Sequence, residues 1–381
     1  MPYITIKQTR ELHQITFEEI LAGNVKLPLD DVVNNNESNT RTYYTRNVST
    51  EFCEKFDIGS MIDALVIFCN THNHLYDKPR HELYERFYIP KKSGGLREIN
   101  APVPELMDAL RSLKTLLETK MYASYHTSAF AYVAKRSTID AVKKHQANKS
   151  HWFLKTDFSD FFGSTTHKFL LQMMSQIFPF SEIVKSERGA AALSKALDLC
   201  FLNGGLPQGT PISPMLTNLM MIPIDHRLNN CLRKYKDNTY VYTRYADDIL
   251  ISSRHDFKYN EIVEFINQTL KEFCAPFAIK DEKTRYGSRA GSNWNLGIML
   301  NKDNQITVGS KNKQRFRAMI NNYILDRLNG KRWDLHDVQV LRGLTNYYRM
   351  VERDYIDAVI KANNTKYSVD VIAMMSKDMA M

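Results

Sequence analysis

Thr239-Tyr240-Val241-Tyr242-Thr243-Arg244-Tyr245-Ala246-Asp247-Asp248-Ile249-Leu250-Ile251-Ser252-Ser253 sets two adjacent acids between two runs of aromatic, β-branched and apolar residues. Thr239–Tyr245 and Ile249–Ser253 have strand composition, so the stretch predicts a hairpin with Ala246-Asp247-Asp248 at its tip. Such tips ordinarily take Asn or Gly. Two carboxylates placed there repel each other and cost stability unless a cation occupies the site. A bare Asp-Asp is most often a solvated turn, but flanked by Tyr245 and Ile249 it is a rarer arrangement. The rest of the chain decides between the two readings.

Working outward, Trp152-Phe153-Leu154-Lys155-Thr156-Asp157-Phe158 reads as a strand that ends on a third acid. Ser159, Asp160, Phe161 and Phe162 follow it. Leu206-Pro207-Gln208-Gly209-Thr210-Pro211-Ile212-Ser213-Pro214 is a stiff Pro/Gly loop running into a helix that Ser213 starts. Such a loop presents Gln208 and backbone amides to a ligand. Tyr88–Ile99, through Lys91-Lys92-Ser93-Gly94-Gly95, predicts a basic β-hairpin. Mg²⁺ prefers carboxylate oxygens and water. Phosphoryl transfer to a 3′-hydroxyl uses two such ions about 4 Å apart, so two or three acids must converge. Asp157 lies far from Asp247 in sequence, so only the fold can bring them together.

The element order is strand, helix, helix, hairpin, helix, strand, which is α+β with an antiparallel sheet backed by helices. Helices are expected at Phe52–Phe68, capped by Ser49 or Thr50, and at Leu106–Met121, His167–Ile177 and Glu261–Phe273. One long helix is expected over Ser213–Lys234 despite Pro223. Residues 1–28 suggest a short strand and a helix near Phe17–Leu21, and Leu29–Thr50, with Asn34-Asn35-Asn36, reads as a loop or extended connector. His72-Asn73-His74 lacks a third ligand and reads as a helix end. The chain of 381 residues carries 51 Lys+Arg against 42 Asp+Glu, a net charge of +9, which suits a polyanionic partner. Its five cysteines (Cys53, Cys69, Cys200, Cys231, Cys274) are scattered, arguing for reduced thiols in a cytosolic, cytoplasmic protein. No signal peptide and no membrane span is expected.

This ordered set of motifs resembles the reverse transcriptases over about residues 80–310: fingers hairpin, motif A at Asp157, motif B at Gln208, motif C at Tyr245–Asp248 and motif D near Lys283. The resemblance implies a right-hand polymerase fold with fingers, an antiparallel-sheet palm and a helical thumb. It implies an RNA-directed DNA polymerase in which Asp157, Asp247 and Asp248 bind two Mg²⁺ ions, with Mn²⁺ as a substitute. By position, Phe162 matches the aromatic gate that rejects a ribose 2′-hydroxyl, and Gln208 touches the incoming dNTP. Lys91 or Lys92 with Arg97 clamps the triphosphate, and Lys283 protonates the leaving pyrophosphate. Asp160 either touches the triphosphate through its backbone or caps a turn. The implied partners are an RNA template, the DNA product and dNTPs, with a second protein or homo-oligomer also considered and no membrane.

Within that family, Tyr84–His145, with Ala129-Phe130-Ala131-Tyr132, and Leu341-Arg342-Gly343-Leu344 are most similar to bacterial retron and group II intron-like enzymes. Two positions depart from the retron pattern. Asp140-Ala141 stands where retrons carry Asn-Ala, and Asn295-Leu296-Gly297 where they carry Val-Thr-Gly. Those signatures belong to recognition of a retron's own RNA. The resemblance therefore points toward the defence-associated, anti-phage reverse transcriptases, some of which work with a noncoding RNA. The alternatives are a retron enzyme making a branched RNA–DNA, an RNA-directed RNA polymerase, which Phe162 weighs against, and a non-enzymatic RNA-binding scaffold. The expected domains are an N-terminal extension (1–80), fingers and palm (81–310), a helical thumb (311–365) and a C-terminal tail (366–381).

In the expected thumb, Lys311, Lys313, Arg315, Arg317, Arg327, Lys331 and Arg332 outnumber a single acid, Asp326, and Phe316, Tyr323 and Trp333 interleave with them. That pattern predicts a nucleic-acid grip with Arg315 and Arg317 on phosphates. The apolar, Met-rich Val369–Met381 is expected to dock on the chain's own surface or on a partner subunit.

Overall fold

The computed structural model describes the backbone of residues 40–43 and 46–49, and the chain at 56–91, 94–121, 123–234, 239–289, 294 and 297–380. The expected elements near Phe17–Leu21, with Cys53, Lys92, Asn295 and Leu296, lie outside these residues. Two compact units emerge. The first comprises the described residues up to Lys135 with Thr156–Ile251 and Phe257–Thr284. The second comprises Arg136–Lys155, Ser252–Asp256 and Arg285 onward.

In the first unit, β1 (Thr40–Tyr43) and β2 (Arg46–Ser49) pair antiparallel with Thr40 opposite Ser49. Part of the expected extended connector is therefore paired strand, since its Thr, Tyr and Val residues favour extended backbone. The next helix, α1 (Ile58–Thr71), starts later than expected. Its cap is Asp57, whose carboxylate accepts from Ser60 N at 2.8 Å, and its C-terminal cap is His72. The basic hairpin forms as β3 (Tyr84–Pro90) and β4 (Leu96–Pro102), with Ile89 opposite Arg97. Gly94 and Gly95 take φ of 86° and 78° at its tip, a region that favours glycine. The expected Leu106–Met121 helix is α2 (Pro104–Thr115), followed by a wider turn over Leu116–Lys120.

The long helix expected over Ser213–Lys234 is two helices, α6 (Ser213–Met220) and α7 (Ile222–Lys234). Pro223 has no N–H to continue the first ladder but fits the first turn of the second, which restarts with Asp225 N donating to Met221 O at 2.7 Å. Against them pack α4 (His167–Met174) and α8 (Tyr259–Glu272), while α5 (Glu187–Asp198) packs on α1 and α4. The strands β5 (Trp152–Asp157), β6 (Tyr240–Tyr245), β7 (Asp248–Ser253) and β8 (Arg285–Ser288) hydrogen-bond in the order β6-β7-β5-β8. Beneath the end of β5, Phe158, Phe161 and Phe277 form a buried aromatic cluster with ring centroids 4.9 to 5.5 Å apart. Its offset and tilted contacts add to plain apolar burial.

The second unit carries α3 (Thr138–Ala147) and the helices α9 (Ser310–Leu328), α10 (Leu335–Val351), α11 (Arg353–Tyr367) and α12 (Val371–Met379). Phe316, Ile320, Tyr323 and Ile324 of α9 share one core with Leu341, Ile356, Val371 and Met375. The Met-rich tail thus docks on the chain's own surface. Tyr323 donates to Asp378 Oδ2 at 2.7 Å, and Arg327 pairs with Asp378 at 2.8 Å. Among the described residues, no helix is long and apolar enough to cross a membrane.

Candidate active site

The Asp-tipped hairpin closes on Ala246, which takes φ 58° between β6 and β7. An L-residue with a Cβ is disfavoured there by about 1–2 kcal/mol, so surrounding structure has to hold it. Arg244 supplies that hold. Its Nη1 donates to Ala246 O at 3.0 Å and to Asn218 Oδ1 at 3.2 Å. Its Nε and Nη2 reach the two Asp225 oxygens at 2.9 and 2.8 Å, with both side chains fully buried. The Tyr242 hydroxyl donates to Asp225 at 2.6 Å. Burial works against the Asp225 carboxylate, but the charge and hydrogen bonds of Arg244, the nearby His126 and the Tyr242 hydroxyl outweigh it, holding its pKa below the usual range. Burial works against the Arg244 cation in the same way, and Asp225 reverses that too.

The same arginine organises a neighbouring strand-like segment. Phe130 N donates to Arg244 O at 2.9 Å, Arg244 N to Ser128 O at 2.7 Å, and Asn218 Nδ2 to Ala131 O at 2.8 Å. Sequence reasoning missed this cluster. Two signals were present: an arginine in a strand of otherwise uncharged, largely aromatic and apolar residues, and an aspartate inside the apolar start of α7.

Asp157 ends β5 beside the hairpin tip, as its position in the sequence predicts, with Phe158 N donating to Asp247 O at 3.2 Å. Its carboxylate is held by lysines: Lys283 Nζ donates to Oδ2 at 2.7 Å, and Lys280 Nζ stands 3.8 Å from Oδ1. Oδ1 is buried with no hydrogen-bond partner. Lys280 was not anticipated from sequence, although it sits three residues before Lys283 at a tight turn. The Asp247 carboxyl is pushed above its ordinary range, first by burial and then by the charges of Asp157 and Asp248. Lys283 is held above its own range by its hydrogen bond to Asp157. Among the described residues, no three acids, histidines or cysteines gather tightly enough to hold a metal ion. Even so, an orphaned buried carboxylate oxygen and a mutually repelling acid are the donor chemistry that a divalent cation satisfies.

A cavity of about 1150 Å³ opens on Asp247 and collects Lys91 and Arg97 from the β3–β4 hairpin, Phe162, Gln208 and Lys283. Asp160, for which a triphosphate contact and a turn cap were both open, lines it as well, as do Asn203, Glu98 and Lys280, which were not in the expected set. Asp157 and Asp248 do not line it; Asp157 is reached through the two lysines. The fingers hairpin is tied to the Pro/Gly loop by Asn100 N donating to Gln208 O at 2.8 Å. Gly209 is required there: it takes φ 117°, and a Cβ would lie 2.8 Å from Asn100 O. Thr210 Oγ1 accepts from Ser213 N at 3.1 Å at the start of α6. Phe161 is buried in the aromatic cluster, which leaves Phe162 as the half-buried ring of the pair.

Outside this cavity, Asp140 closes a capping box with Ser137 at the start of α3. The residue that departs from the retron pattern therefore has a local structural use. Arg315 and Arg317 stand exposed on α9, and neither forms an ion pair among the described residues.

A carboxylate-tipped hairpin, an acid at the end of the adjacent strand and a basic, aromatic-lined cavity define a template-directed nucleotidyltransferase. Residues 89–316 match the family "Reverse transcriptase (RNA-dependent DNA polymerase)", and the chain belongs to that family. It is 25% identical to the retron Ec83 reverse transcriptase of Escherichia coli over 307 residues, 77% of this chain and 90% of that protein. It is 27% identical to the retron Ec73 reverse transcriptase of E. coli over 238 residues, 61% of this chain and 73% of that one. It is 29% identical to the retron Mx65 reverse transcriptase of Myxococcus xanthus over 253 residues, 64% of this chain and 56% of that one. The chain is thus a retron-like bacterial reverse transcriptase with an α+β polymerase fold.

Proposed function

We propose that this RNA-directed DNA polymerase extends a 3′-hydroxyl with dNTPs through two-metal chemistry at Asp157, Asp247 and Asp248, and that it serves bacterial anti-phage defence together with a noncoding RNA. The observation that carries the chemical part is the cavity on Asp247 that gathers Lys91, Arg97, Phe162, Gln208 and Lys283. Two Mg²⁺ or Mn²⁺ ions, when bound, supply activation of the attacking hydroxyl and neutralisation of the triphosphate. The protein's own groups do the rest. Arg97 grips phosphate oxygens bidentately and Lys91 as a point charge. Gln208 orients the incoming nucleotide, and the Phe162 ring excludes a 2′-hydroxyl. Lys283, kept protonated by Asp157, holds the proton that the leaving pyrophosphate takes. We read residues 81–310 as fingers and palm and 311–365 as the thumb, whose Arg315 and Arg317 hold backbone phosphates. The net charge of +9 supports a nucleic-acid partner.

The first test is dNTP incorporation on a primed RNA template, with divalent ions titrated. The parent chain should depend on Mg²⁺ or Mn²⁺, and Asp247→Asn combined with Asp248→Asn should abolish synthesis. Undiminished synthesis by that double variant would sink the assignment. A second reading, a retron enzyme making a branched RNA–DNA, is favoured by the relatives being retron reverse transcriptases. Sequencing the nucleic acid that co-purifies with the chain separates the two. A DNA joined to an internal RNA position supports the retron reading; unbranched DNA beside a separate noncoding RNA supports defence without a branched product.

A further inference from the structure

Phe162 is fixed from both sides. On the inner side its neighbour Phe161 is anchored in the aromatic cluster, and Thr165 Oγ1 donates to Phe161 O at 2.7 Å. The Phe162 carbonyl accepts from Thr165 N at 3.2 Å and from Leu206 N at 3.0 Å. On the outer side stands a second loop, Leu202-Asn203-Gly204-Gly205. Leu202 N donates to Gly205 O at 2.9 Å and Gly205 N to Leu202 O at 3.1 Å, closing a two-residue turn. Asn203 and Gly204 take φ of 52° and 82°, the positive-φ turn that an Asn-Gly pair favours. The turn presses Gly205 against the residue after Phe162. A Cβ on Gly205 would lie 1.9 Å from Gly163 O and 2.6 Å from Gly163 C, with only backbone in the way. Gly163 is different, because the nearest atoms to a Cβ there belong to the Asp160 carboxylate, at 2.6 Å, and a carboxylate end can swing aside.

We infer that Gly205 is a positioning residue for sugar selection: its bare α-carbon, held by the Asn203-Gly204 turn, sets how far Phe162 stands into the nucleotide cavity. The inference rests on Phe162 being the sugar gate. Any side chain at Gly205 must displace the Gly163 backbone, and the Leu206–Phe162 hydrogen bond carries that displacement to the gate. A ring moved outward admits the 2′-hydroxyl and lowers the ratio of dNTP to rNTP use, and this is the displacement a side chain at Gly205 is expected to cause.

The experiment measures kcat/KM for a dNTP and its matching rNTP on one primed RNA template, with melting temperature as a folding control. Gly205→Ala should lower the dNTP preference by about tenfold, the size of a modest steric discrimination. Gly163→Ala should stay within about twofold of the parent, since a swinging carboxylate relieves its contact. Gly204→Ala, with no atom near its new Cβ, strains only the turn by about 1 kcal/mol and should lower the preference by a smaller factor than Gly205→Ala. In a Phe162→Ala background, adding Gly205→Ala should change the ratio no further. A merely structural glycine would lower both kcat/KM values in proportion and leave the ratio where it was. Loss of preference in Phe162→Ala with a parental ratio in Gly205→Ala would overturn the inference and leave the gate standing. A parental ratio in Phe162→Ala would remove the gate and this inference with it. If Gly205→Ala does not fold, Gly204→Ala decides, and a parental ratio in that folded variant overturns the proposal.

Discussion

Arg244 and Asp247 stand three residues apart across one turn and obey opposite electrostatic rules. Below the tip, Arg244 and Asp225 are fully buried and fully matched, with Tyr242 and Asn218 completing the set. At the tip, Asp247 is crowded by Asp157 and Asp248, and one buried Asp157 oxygen has no hydrogen-bond partner. A matched ion pair is rarely a net gain over a well-packed apolar pair, but it fixes geometry. An unmatched carboxylate costs stability and is ready to receive a cation. The molecule uses a satisfied set of charges to hold an unsatisfied set in a strained turn.

The larger effect belongs to the tip. Asp157→Asn should remove dNTP incorporation by several orders of magnitude, as loss of a metal ligand does in two-metal catalysis, while the melting temperature stays near that of the parent. Primer extension alongside calorimetry checks both halves. A variant that retained synthesis would show that Asp157 is only a strand-end acid.

The next effect in size is structural. Arg244→Met should cost about 3–5 kcal/mol, because it strands a buried carboxylate, as measured by urea denaturation. Arg244→Met combined with Asp225→Leu should recover much of that loss, yet it should not restore full activity, because Ala246 O still lacks its donor. If the double variant regained parental kcat, the cluster would be stabilising alone and would have no part in placing the hairpin.

Acid and base should then separate the two aspartates by sign. Asp225 is held below its ordinary pKa, so its contribution to stability is present at neutral pH and is lost as the pH falls through the carboxylate range. Asp247 is held above its ordinary pKa, so the folded state binds that proton more tightly than the unfolded chain does. Its contribution therefore falls as pH rises above the ordinary carboxylate value and through its raised folded-state pKa. Asp247→Asn, which has no proton to lose, should melt above the parent at neutral pH without divalent ions, and the gap should close on acidification. Melting curves from pH 4 to 8 would check this. A gap that widened in acid would reverse the picture of the tip.

The smallest effect lies on α9, which repeats the contrast in weaker form. Lys313 is matched by Glu352, Arg327 by Asp378 and Lys331 by Asp326, whereas Arg315 and Arg317 have no ion pair among the described residues. Residues two apart on a helix point to different sides, so the two arginines cannot share one phosphate. Reversing both to Glu should weaken template–primer binding on all sequences alike and flatten its salt dependence by about one unit of slope per lost contact. Loss of affinity for one sequence only would exclude a backbone grip.

The strand-end place of Asp157, the Asp247-Asp248 hairpin tip and the basic hairpin were legible because each sits in a short stretch whose composition and local geometry explain one another, whereas Phe162 and Gln208 entered through the resemblance to family motifs. The α+β order was legible for the same reason. The Arg244–Asp225 pair was not, because it joins a strand to a helix restarted by Pro223, and nothing local to either residue names the other. The division into α6 and α7 was missed because apolar periodicity continues across Met221, while the backbone ladder does not. The lysines around Asp157 were only half legible: Lys283 followed from a motif, and Lys280 from a turn that pattern alone does not reveal.

The hydrogen bond from Phe158 N to Asp247 O has a consequence for how the protein is made. It joins segments that leave the ribosome at widely separated times, and Lys283 arrives later still. A chain broken off before Asp247 carries Asp157 on a strand with neither acid partner, and one broken off before Lys280 leaves that acid without its lysines. On the roles proposed for these residues, a chain cut short at either point lacks a complete site, so interrupted translation is expected to yield fragments that synthesise no DNA.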